Sequence, residues 1–268
     1  MPLRDPNPTS TLTTPRRAPR PAPAELVLVR HGESVGNIAD REARSRGDGR
    51  LTLDARDADV ELSDLGTEQA AAVGRYLAEM ADEARPTVVL SSPYRRAADT
   101  ARAAVEGAGL DLPIVLDERL RERDLGAFDG LTGAGIRKDY PEEARRRQHT
   151  GKLYYRPPGG ESWCDVALRV RSVLDTVRVE HDGSRLWVFS HQAVIMAFRL
   201  VLEQLHEQDL LTVDRETPIP NCSITTYRPD DDGLLRLVTF ADTSAVDREP
   251  TPVTTEGDHA GRSGDVAS

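Results

Sequence analysis

Residues 25–37 read ELVLVRHGESVGN, a short apolar run that ends abruptly in polar residues. The run Glu25–Arg30 has the length and apolar content of a buried strand in a largely parallel sheet. Directly after it come His31 and Gly32, and the glycine lets the backbone turn tightly. In open α/β sheets the ligand binds at the carboxyl ends of the strands, so this junction predicts a functional loop.

The same arrangement recurs farther along the chain. Arg185–Ser190 (RLWVFS) predicts a second buried strand, and His191 follows it at once. Thr87–Ser91 (TVVLS) and Pro113–Leu116 (PIVL) are shorter strand candidates. Because the carboxyl ends of parallel strands meet at one edge of a sheet, the two histidines are expected to face each other there.

Helical patterns separate these strands. Apolar residues recur at helical spacing in Asp64–Ala81, and Ser63 is the expected N-cap. Cys222–Tyr227 and Leu234–Phe240, separated by RPDDDG, predict a terminal antiparallel hairpin. Strands that alternate with helices predict an α/β fold, a three-layer α/β/α sandwich with a largely parallel central sheet. The other long helix candidates are Tyr94–Glu106, Trp163–Glu180 and Ala193–Leu205.

Composition changes sharply towards both ends of the chain. Residues 1–24 contain seven prolines, and residues 242–268 are rich in Pro, Thr, Gly, Asp and Glu without periodicity. Segments with so few apolar residues cannot bury enough surface to offset the entropy cost of ordering, so both are predicted to be disordered tails. The folded part is therefore expected to be one domain at 25–241, which is about the size of a single α/β domain.

The overall composition disfavours several classes of protein. The 268 residues are 38% hydrophobic and carry a formal net charge of −10, which is typical of a globular protein and disfavours a nucleic-acid partner. No window approaches the roughly 20 apolar residues of a membrane span, and no apolar run follows the N-terminal arginines, so a cytoplasmic protein without a membrane partner is expected. Two cysteines, Cys164 and Cys222, lack the spacing of a zinc site, and no metal is expected.

Several segments offer groups suited to phosphate chemistry. Arginine presents a planar fork that matches phosphate, and a neutral imidazole can attack phosphorus, so Arg30 and His31 form a plausible pair. The segment SSPYRRAADTA places Arg95 and Arg96 in the first turn of a helix, where the helix dipole opposes cations. That local cost indicates an external anion. The acids of RLRERDLG include candidate proton donors, and composition alone does not choose among Glu118, Glu122 and Asp124.

Five motifs follow one another along the chain: RHGES (30–34), SPYRRA (92–97), LRERDLG (120–126), GGES (159–162) and SH (190–191). In identity and order they resemble the histidine phosphatase superfamily, which includes the cofactor-dependent phosphoglycerate mutases and many phosphatases. The resemblance covers about residues 26–240 and implies a phosphoglycerate mutase-like fold. It also implies a metal-independent phosphatase that needs no cofactor and acts on a small phosphorylated metabolite. It implies no particular oligomeric state.

The resemblance implies a role for each motif residue. His31 resembles the nucleophile that becomes phosphohistidine, and Glu122, in the LRER context, resembles the proton donor. Arg30 and Arg96 resemble the two arginines that clamp the phosphate, and His191 resembles the second histidine of the pocket. Two arginines and a histidine supply the field for phosphoryl transfer without a metal. Residues implied to line the phosphate or substrate pocket are Ser34, Asn37, Gln192, Tyr155 and Arg156.

Within the superfamily three subgroups and one inactive form remain open. The chain departs from the mutases because RHGES is followed by VGNIAD rather than Trp-Asn, and because GGES follows the acid quickly. LYYRPPGGES and SHQAV resemble the bisphosphatase half of the fructose-2,6-bisphosphate enzymes, whose Tyr and Arg residues contact a second phosphate. RHGES-x-GN and LSDLG resemble broad-range phosphatases, the preferred subgroup. A mutase-type isomerase, a sugar bisphosphatase and an inactive phosphate-binding protein are the alternatives.

Overall fold

Within residues 20–247 and 251–255, which the computed structural model describes, a six-stranded sheet has the order β3-β2-β4-β1-β5-β6. Strands β1 to β4 run parallel, and β5 and β6 form an antiparallel hairpin beside β1. The sheet is therefore largely parallel, as predicted. The strands are β1 Glu25–Arg30, β2 Val88–Ser91, β3 Ile114–Leu116, β4 Arg185–Ser190, β5 Ile224–Pro229 and β6 Leu235–Asp242.

Helices cover both faces of the sheet. In the described ranges they are α1 Val35–Arg46, α2 Asp64–Glu79, α3 Arg95–Gly107, α4 Gly133–Asp139, α5 Pro141–Thr150, α6 Trp163–Glu180, α7 Gln192–Leu202, α8 Glu207–Glu216 and α9 Ser244–Asp247. Helices α6 and α7 bury their apolar sides on one face, and α2, α3 and α9 on the other. This arrangement confirms the three-layer α/β/α fold. No helix of these ranges has the length and apolarity needed to cross a membrane.

Strand β1 divides its side chains between the two core layers. Leu26 and Leu28 belong to the cluster under α6 and α7, whereas Val27 and Val29 belong to the cluster under α2 and α3. This alternation follows from the two-residue period of a strand. Full burial of each such side chain contributes about 1.5–3 kcal/mol, so the strand that leads into the RHGES motif is anchored on both faces.

The predicted long helices and strands are present, with small shifts in their bounds. Ser63 caps α2 as expected, because its side chain accepts a hydrogen bond from the backbone N–H of Gly66. Five helices were not predicted: α1, α4, α5, α8 and α9. Their buried faces are too small to produce a periodic pattern; α5 has no buried residue and α8 buries only Leu210.

The ordered part of the chain exceeds the predicted limits at both ends. Strand β6 runs to Asp242, and α9 buries Ala245 and Val246 in the core beneath α2, so the predicted boundary at 241 is wrong for these residues. The segment is too short to show periodicity, yet two small apolar residues suffice to dock it. At the other end, Ala22 exchanges hydrogen bonds with the 182–183 turn. The remaining residues of the predicted tails, 1–19, 248–250 and 256–268, lie outside the described ranges.

Candidate active site

The two strand-end histidines meet because β1 and β4 are neighbours in the sheet. Arg30 pairs with Ser190 in the parallel register, so the next residue of each strand emerges at the same level. The rings of His31 and His191 lie 5.1 Å apart between centroids. Both are buried, with 2% and 0% of their surface exposed.

The hydrogen bonds of His31 select its tautomer. Its Nδ1 lies 2.7 Å from the carbonyl oxygen of Gly32, and a carbonyl can only accept. Nδ1 therefore carries the proton, and in the neutral ring the lone pair is on Nε2. The backbone is fixed as well: the N–H of His31 donates to Ser190, and its carbonyl accepts from Asn221 Nδ2 at 3.0 Å. A neutral, oriented imidazole of this kind is suited to nucleophilic attack.

The hydrogen bonds of His191 select the opposite tautomer. Its Nε2 lies 2.8 Å from Ser92 Oγ, which already accepts the backbone N–H of Tyr94 at 3.2 Å. Ser92 can donate its hydroxyl proton to Nε2, and in that arrangement neutral His191 carries its proton on Nδ1. That buried Nδ1 has no hydrogen-bond partner among the described residues. A buried N–H in this situation provides a donor for an anionic ligand.

Burial lowers the pKa of His191 well below its ordinary value, and the nearby charges of Arg96, His31 and Arg30 lower it further. The ring is therefore neutral in the unliganded protein at neutral pH. A dianionic phosphoryl group would offset these positive charges and would weaken this preference for the neutral ring.

The two arginines approach the histidines from different elements. Arg30 is fully buried at the end of β1 and donates a hydrogen bond to the carbonyl of Ile219. Arg96, in the first turn of α3, is 5% exposed, and its Nη1 pairs with Asp57 Oδ1 at 2.9 Å. Its neighbour Arg95 instead pairs with exposed Glu61 at the surface. Of these two arginines, only Arg96 is therefore buried at the site, where the dipole of α3 disfavours a cation.

Glu122 lies on the wall of the cleft, half-buried, and its Oε1 accepts the backbone N–H of Arg123 at 2.7 Å. Of the other acids considered, Asp124 also lines the cleft, but its Oδ1 accepts the backbone N–H of Gly126 in a turn. Glu118 does not line the cleft. The structure therefore leaves Glu122 and Asp124 on the cleft wall, and of these two Glu122 is the half-buried one.

Ser34 and Asn37 form the capping box of α1. Ser34 Oγ accepts the backbone N–H of Asn37, and Asn37 Oδ1 accepts the backbone N–H of Ser34. Asn221 Nδ2 also approaches Asn37 Oδ1, at 3.4 Å. Donors around Oδ1 fix the orientation of the amide, so Asn37 offers the cleft its Nδ2 donor. Ser34 lines the same wall, but its hydroxyl serves the helix cap.

These residues surround one cleft of about 590 Å³. Arg30 and His191 are buried behind its wall, and Arg156 lies outside it. Apolar side chains line the outer part, together with Arg123, whose pKa burial lowers to about 10. The sequence-based site residues on its wall are His31, Ser34, Asn37, Arg96, Glu122, Tyr155 and Gln192.

Arg156 differs from the expectation that it lines the substrate pocket, whereas Tyr155 lies on the cleft wall. The ring of Tyr155 packs with Phe128 and Leu131, and its hydroxyl donates to Glu143 Oε2 at 2.7 Å. Arg156 is exposed and forms a two-point pair with Asp165. Burial would raise the pKa of Asp165, but hydrogen bonds from Arg156 and Ser162 outweigh it and hold that pKa at about 2. Arg156 thus stabilises the first turn of α6 and does not line the cleft.

Sequence reasoning missed the residues that orient the site. Ser92 is fully buried and orients His191, and it lies inside a motif that was already singled out. Asp57 holds Arg96 from a loop without any motif. Asn221 is fully buried and contacts the nucleophile loop, yet a single Asn after a proline gives no sequence signal.

The chain is similar to several known proteins. A bifunctional protein of Mycobacterium tuberculosis is 36% identical over 185 residues; the match covers 69% of this chain but only 46% of that protein. The 2,3-bisphosphoglycerate-dependent phosphoglycerate mutase 2 of Gloeobacter violaceus is 33% identical, covering 74% of this chain and 84% of that protein. A solved structure of mycobacterial glucosyl-3-phosphoglycerate phosphatase with VO3 has 29% identity and a TM-score of 0.64, and covers 82% of this chain and 99% of that one.

The chain thus spans about half the length of the first of these relatives. Relatives named as phosphatases and as mutases both occur among the matches. The description "histidine phosphatase superfamily (branch 1)" belongs to a family model that matches residues 26–243, which include both histidines and all of the sheet except the first residue of β1. The chain therefore belongs to the histidine phosphatase superfamily.

Proposed function

We propose that this protein is a metal-independent phosphomonoesterase that hydrolyses small phosphorylated metabolites through a phosphohistidine on His31. The observation that carries the proposal is the hydrogen bond from His31 Nδ1 to the Gly32 carbonyl, which leaves the lone pair on Nε2. His191, with its proton on Nδ1, lies beside that ring, and Arg96 lies on the same cleft. A nucleophile and donors for phosphoryl oxygens thus converge.

In the first step Nε2 of His31 attacks phosphorus, and the bond from phosphorus to the ester oxygen breaks. Glu122, in its protonated form, gives its proton to the leaving oxygen. Negative charge spreads over the equatorial oxygens in this transfer, so Arg30, Arg96 and the Nδ1–H of His191 stabilise it electrostatically. The product alcohol leaves, and His31 carries the phosphoryl group.

In the second step water attacks the phosphohistidine and the nitrogen–phosphorus bond breaks. Glu122, now ionised, takes a proton from the water, which regenerates the acid for the next cycle. Phosphate leaves, and neutral His31 again holds its proton on Nδ1. The same carboxyl therefore alternates between acid and base within one turnover.

The cleft supports a small metabolite as the substrate. Its volume of about 590 Å³ is within the range of sites for small ligands. Arg123 and Lys152 on its outer wall suit a substrate with a second polar or acidic group, and Phe128 and Leu131 suit a carbon skeleton. Sugar phosphates and phosphorylated organic acids are the first compounds to assay.

A phosphoglycerate mutase is the second candidate, because a relative of that name matches over 84% of its length. A mutase returns the phosphoryl group to another hydroxyl of the substrate, whereas a phosphatase releases inorganic phosphate. Incubation with 3-phosphoglycerate, with and without a bisphosphoglycerate primer, separates them. Net 2-phosphoglycerate in excess of phosphate would favour the mutase.

The first experiment is hydrolysis of p-nitrophenyl phosphate in EDTA between pH 4 and 8. Wild type should turn over, and His31→Ala should lose activity by more than about 10³-fold while keeping its fold, since the mutation removes the nucleophile. His149→Ala, an exposed histidine of α5, is the matched control and should keep full activity. Activity in folded His31→Ala, or loss in EDTA that added metal restores, would refute the proposal.

A further inference from the structure

A segment near the C-terminus lies against the loop that carries the nucleophile. Residues 251–255, named here the C-terminal strap, contact Asn221 through the backbone and side chain of Thr254. The backbone N–H of Asn221 donates to the Thr254 carbonyl at 2.8 Å, and Thr254 Oγ1 donates to Asn221 Oδ1 at 3.0 Å. The strap therefore fixes both the backbone and the amide of Asn221.

Asn221 connects the strap to the site through its side chain. It is fully buried, and its Nδ2 donates to the backbone carbonyl of His31 at 3.0 Å. The same nitrogen lies 3.4 Å from Asn37 Oδ1. Because Thr254 supplies a donor to Oδ1, Nδ2 is held towards His31 and Asn37.

A second arm of the strap reaches the other side of the same loop. Gln69 of α2 is fully buried, and its Nε2 donates to the carbonyl of Pro252 at 2.8 Å and to Thr254 Oγ1 at 3.1 Å. Its Oε1 accepts the backbone N–H of Glu33 at 2.9 Å. The orientation of this amide is thus set by the strap at one end and by the loop at the other.

We propose that Thr254 is a positioning residue, which orients Asn221 and Gln69 so that they hold the His31–Asn37 loop in its reactive geometry. The role in chemistry rests on the proposed function of His31. One hydroxyl accepts from Gln69 and donates to Asn221. A serine can do both and a valine can do neither, although valine keeps the shape of threonine.

Loss of the hydroxyl leaves Asn221 Oδ1 buried without this donor, which weakens the preference for the amide orientation that serves His31. A small displacement of a reacting group is costly, because a shift of about 1 Å lowers rates up to about 100-fold. The rate of phosphoryl transfer to His31 is therefore expected to fall, while the number of competent sites stays the same.

The test compares Thr254→Val with Thr254→Ser, and uses Thr255→Val, an exposed neighbour, as the matched control. Rapid quench with a radiolabelled phosphomonoester measures formation of phosphohistidine. Thr254→Val should slow the rate constant about 10-fold at unchanged amplitude, whereas Thr254→Ser and Thr255→Val should match wild type. A reduced amplitude at an unchanged rate would mean simple destabilisation, and an unchanged rate and amplitude would mean that the strap is irrelevant; either result overturns the proposal.

Hydrogen exchange of the His31–Asn37 amides separates this proposal from the proposed function. Exchange there should rise in Thr254→Val and stay at the wild-type level in Thr254→Ser and Thr255→Val, whether or not phosphohistidine forms. If wild type forms no phosphohistidine but exchange is still faster in Thr254→Val, the proposed chemistry is rejected and the role of the strap is retained. Unchanged exchange in Thr254→Val would reject the strap.

Discussion

The two histidines of the site are held through different ring nitrogens. His31 is tied through Nδ1 to a backbone carbonyl, and His191 through Nε2 to a serine hydroxyl. The ring that must attack therefore keeps a lone pair, and the ring that must donate keeps a proton. Residues of one type thus perform opposite tasks because their neighbours differ.

Ser92→Ala tests the assignment for His191. Without the hydroxyl, the neutral ring is no longer biased towards a proton on Nδ1, so phosphohistidine formation should slow by about 10- to 100-fold. Ser91→Ala is a matched control, because Ser91 is equally buried but bonds only the backbone carbonyl of Ser92. Rapid-quench kinetics on both variants gives the answer. Equal slowing in the two proteins would show that packing, not the tautomer, is responsible.

Glu122→Gln tests the proton donor. An aryl ester with a good leaving group needs little protonation, whereas an alkyl phosphate needs a full proton. The variant should therefore slow phosphoenzyme formation from the alkyl ester by about 10²- to 10⁴-fold, and from the aryl ester much less. Asp124→Asn, which changes the other acid on the wall, should leave the ratio of the two rates at the wild-type value. Equal slowing of both esters in Glu122→Gln would point to another acid.

The residues proposed to contact phosphate were accessible from the sequence, whereas those that orient them were not. His31 and His191 stand out because each follows a buried strand directly, and Arg30 because it ends one. Asn221 and Asp57 act through hydrogen bonds across more than 25 positions of chain, and no local pattern encodes such a contact. Arg156 shows the converse error, because a motif places a residue in a segment without fixing its partner.

At the level of elements, the first turn of α2 packs directly on the nucleophile loop. Ser63, its N-cap, donates from its backbone N–H to the Glu33 carbonyl at 2.9 Å. A Cβ added to Gly66 would lie only 1.8 Å from that same carbonyl oxygen. Only a residue without a side chain allows backbone to meet backbone here.

Gly66→Ala should therefore act against the usual trend. In an open helix this change stabilises by about 0.5–1 kcal/mol, but here overpacking should lower the free energy of unfolding by about 1–3 kcal/mol. Because the loop must move, kcat/KM should fall as well. Denaturant unfolding and steady-state kinetics measure the two effects, with Glu68→Ala at an exposed position of α2 as the control. A stabilised, fully active Gly66→Ala would contradict the close contact.

The elements that sequence predicted best are those buried on one or both sides. Strands β1 and β4 show continuous apolar runs because the sheet is covered on both faces. Helix α5 escaped prediction because it buries none of its residues, and α1 because its buried positions include Asn37 and Asp40. Polar residues that face an active site remove the apolar stripe on which helix recognition depends.

For the whole molecule, the buried neutral state of His191 links stability to pH. Its pKa in the folded protein lies well below the ordinary value of 6.5, chiefly because of burial. The unfolded chain therefore binds a proton, as pH falls through 6.5, that the folded chain does not. The contribution of this residue to stability is complete above that pH and decreases below it, by about 1.4 kcal/mol per pH unit.

Urea unfolding of wild type and His191→Gln between pH 5 and 8 measures this pH-dependent contribution of His191 to stability. The difference in unfolding free energy between the two proteins should be constant above about pH 7 and should change in favour of the glutamine variant as the pH falls. His149→Gln, at an exposed position, should track wild type throughout. A difference that does not vary with pH would show that the pKa of His191 is the same in the folded and the unfolded protein.

The position of β1 within the sheet also determines how long this strand waits for its partner strands during synthesis. Its partners are β4 and β5, and residue 185 is made about 155 positions after residue 30. At roughly 5–20 residues per second, that interval lasts about 8 to 30 s. During this interval the apolar Leu26–Val29 run is outside the ribosome before either neighbouring strand has been made. The nascent chain therefore requires shielding from aggregation until its second half has been translated.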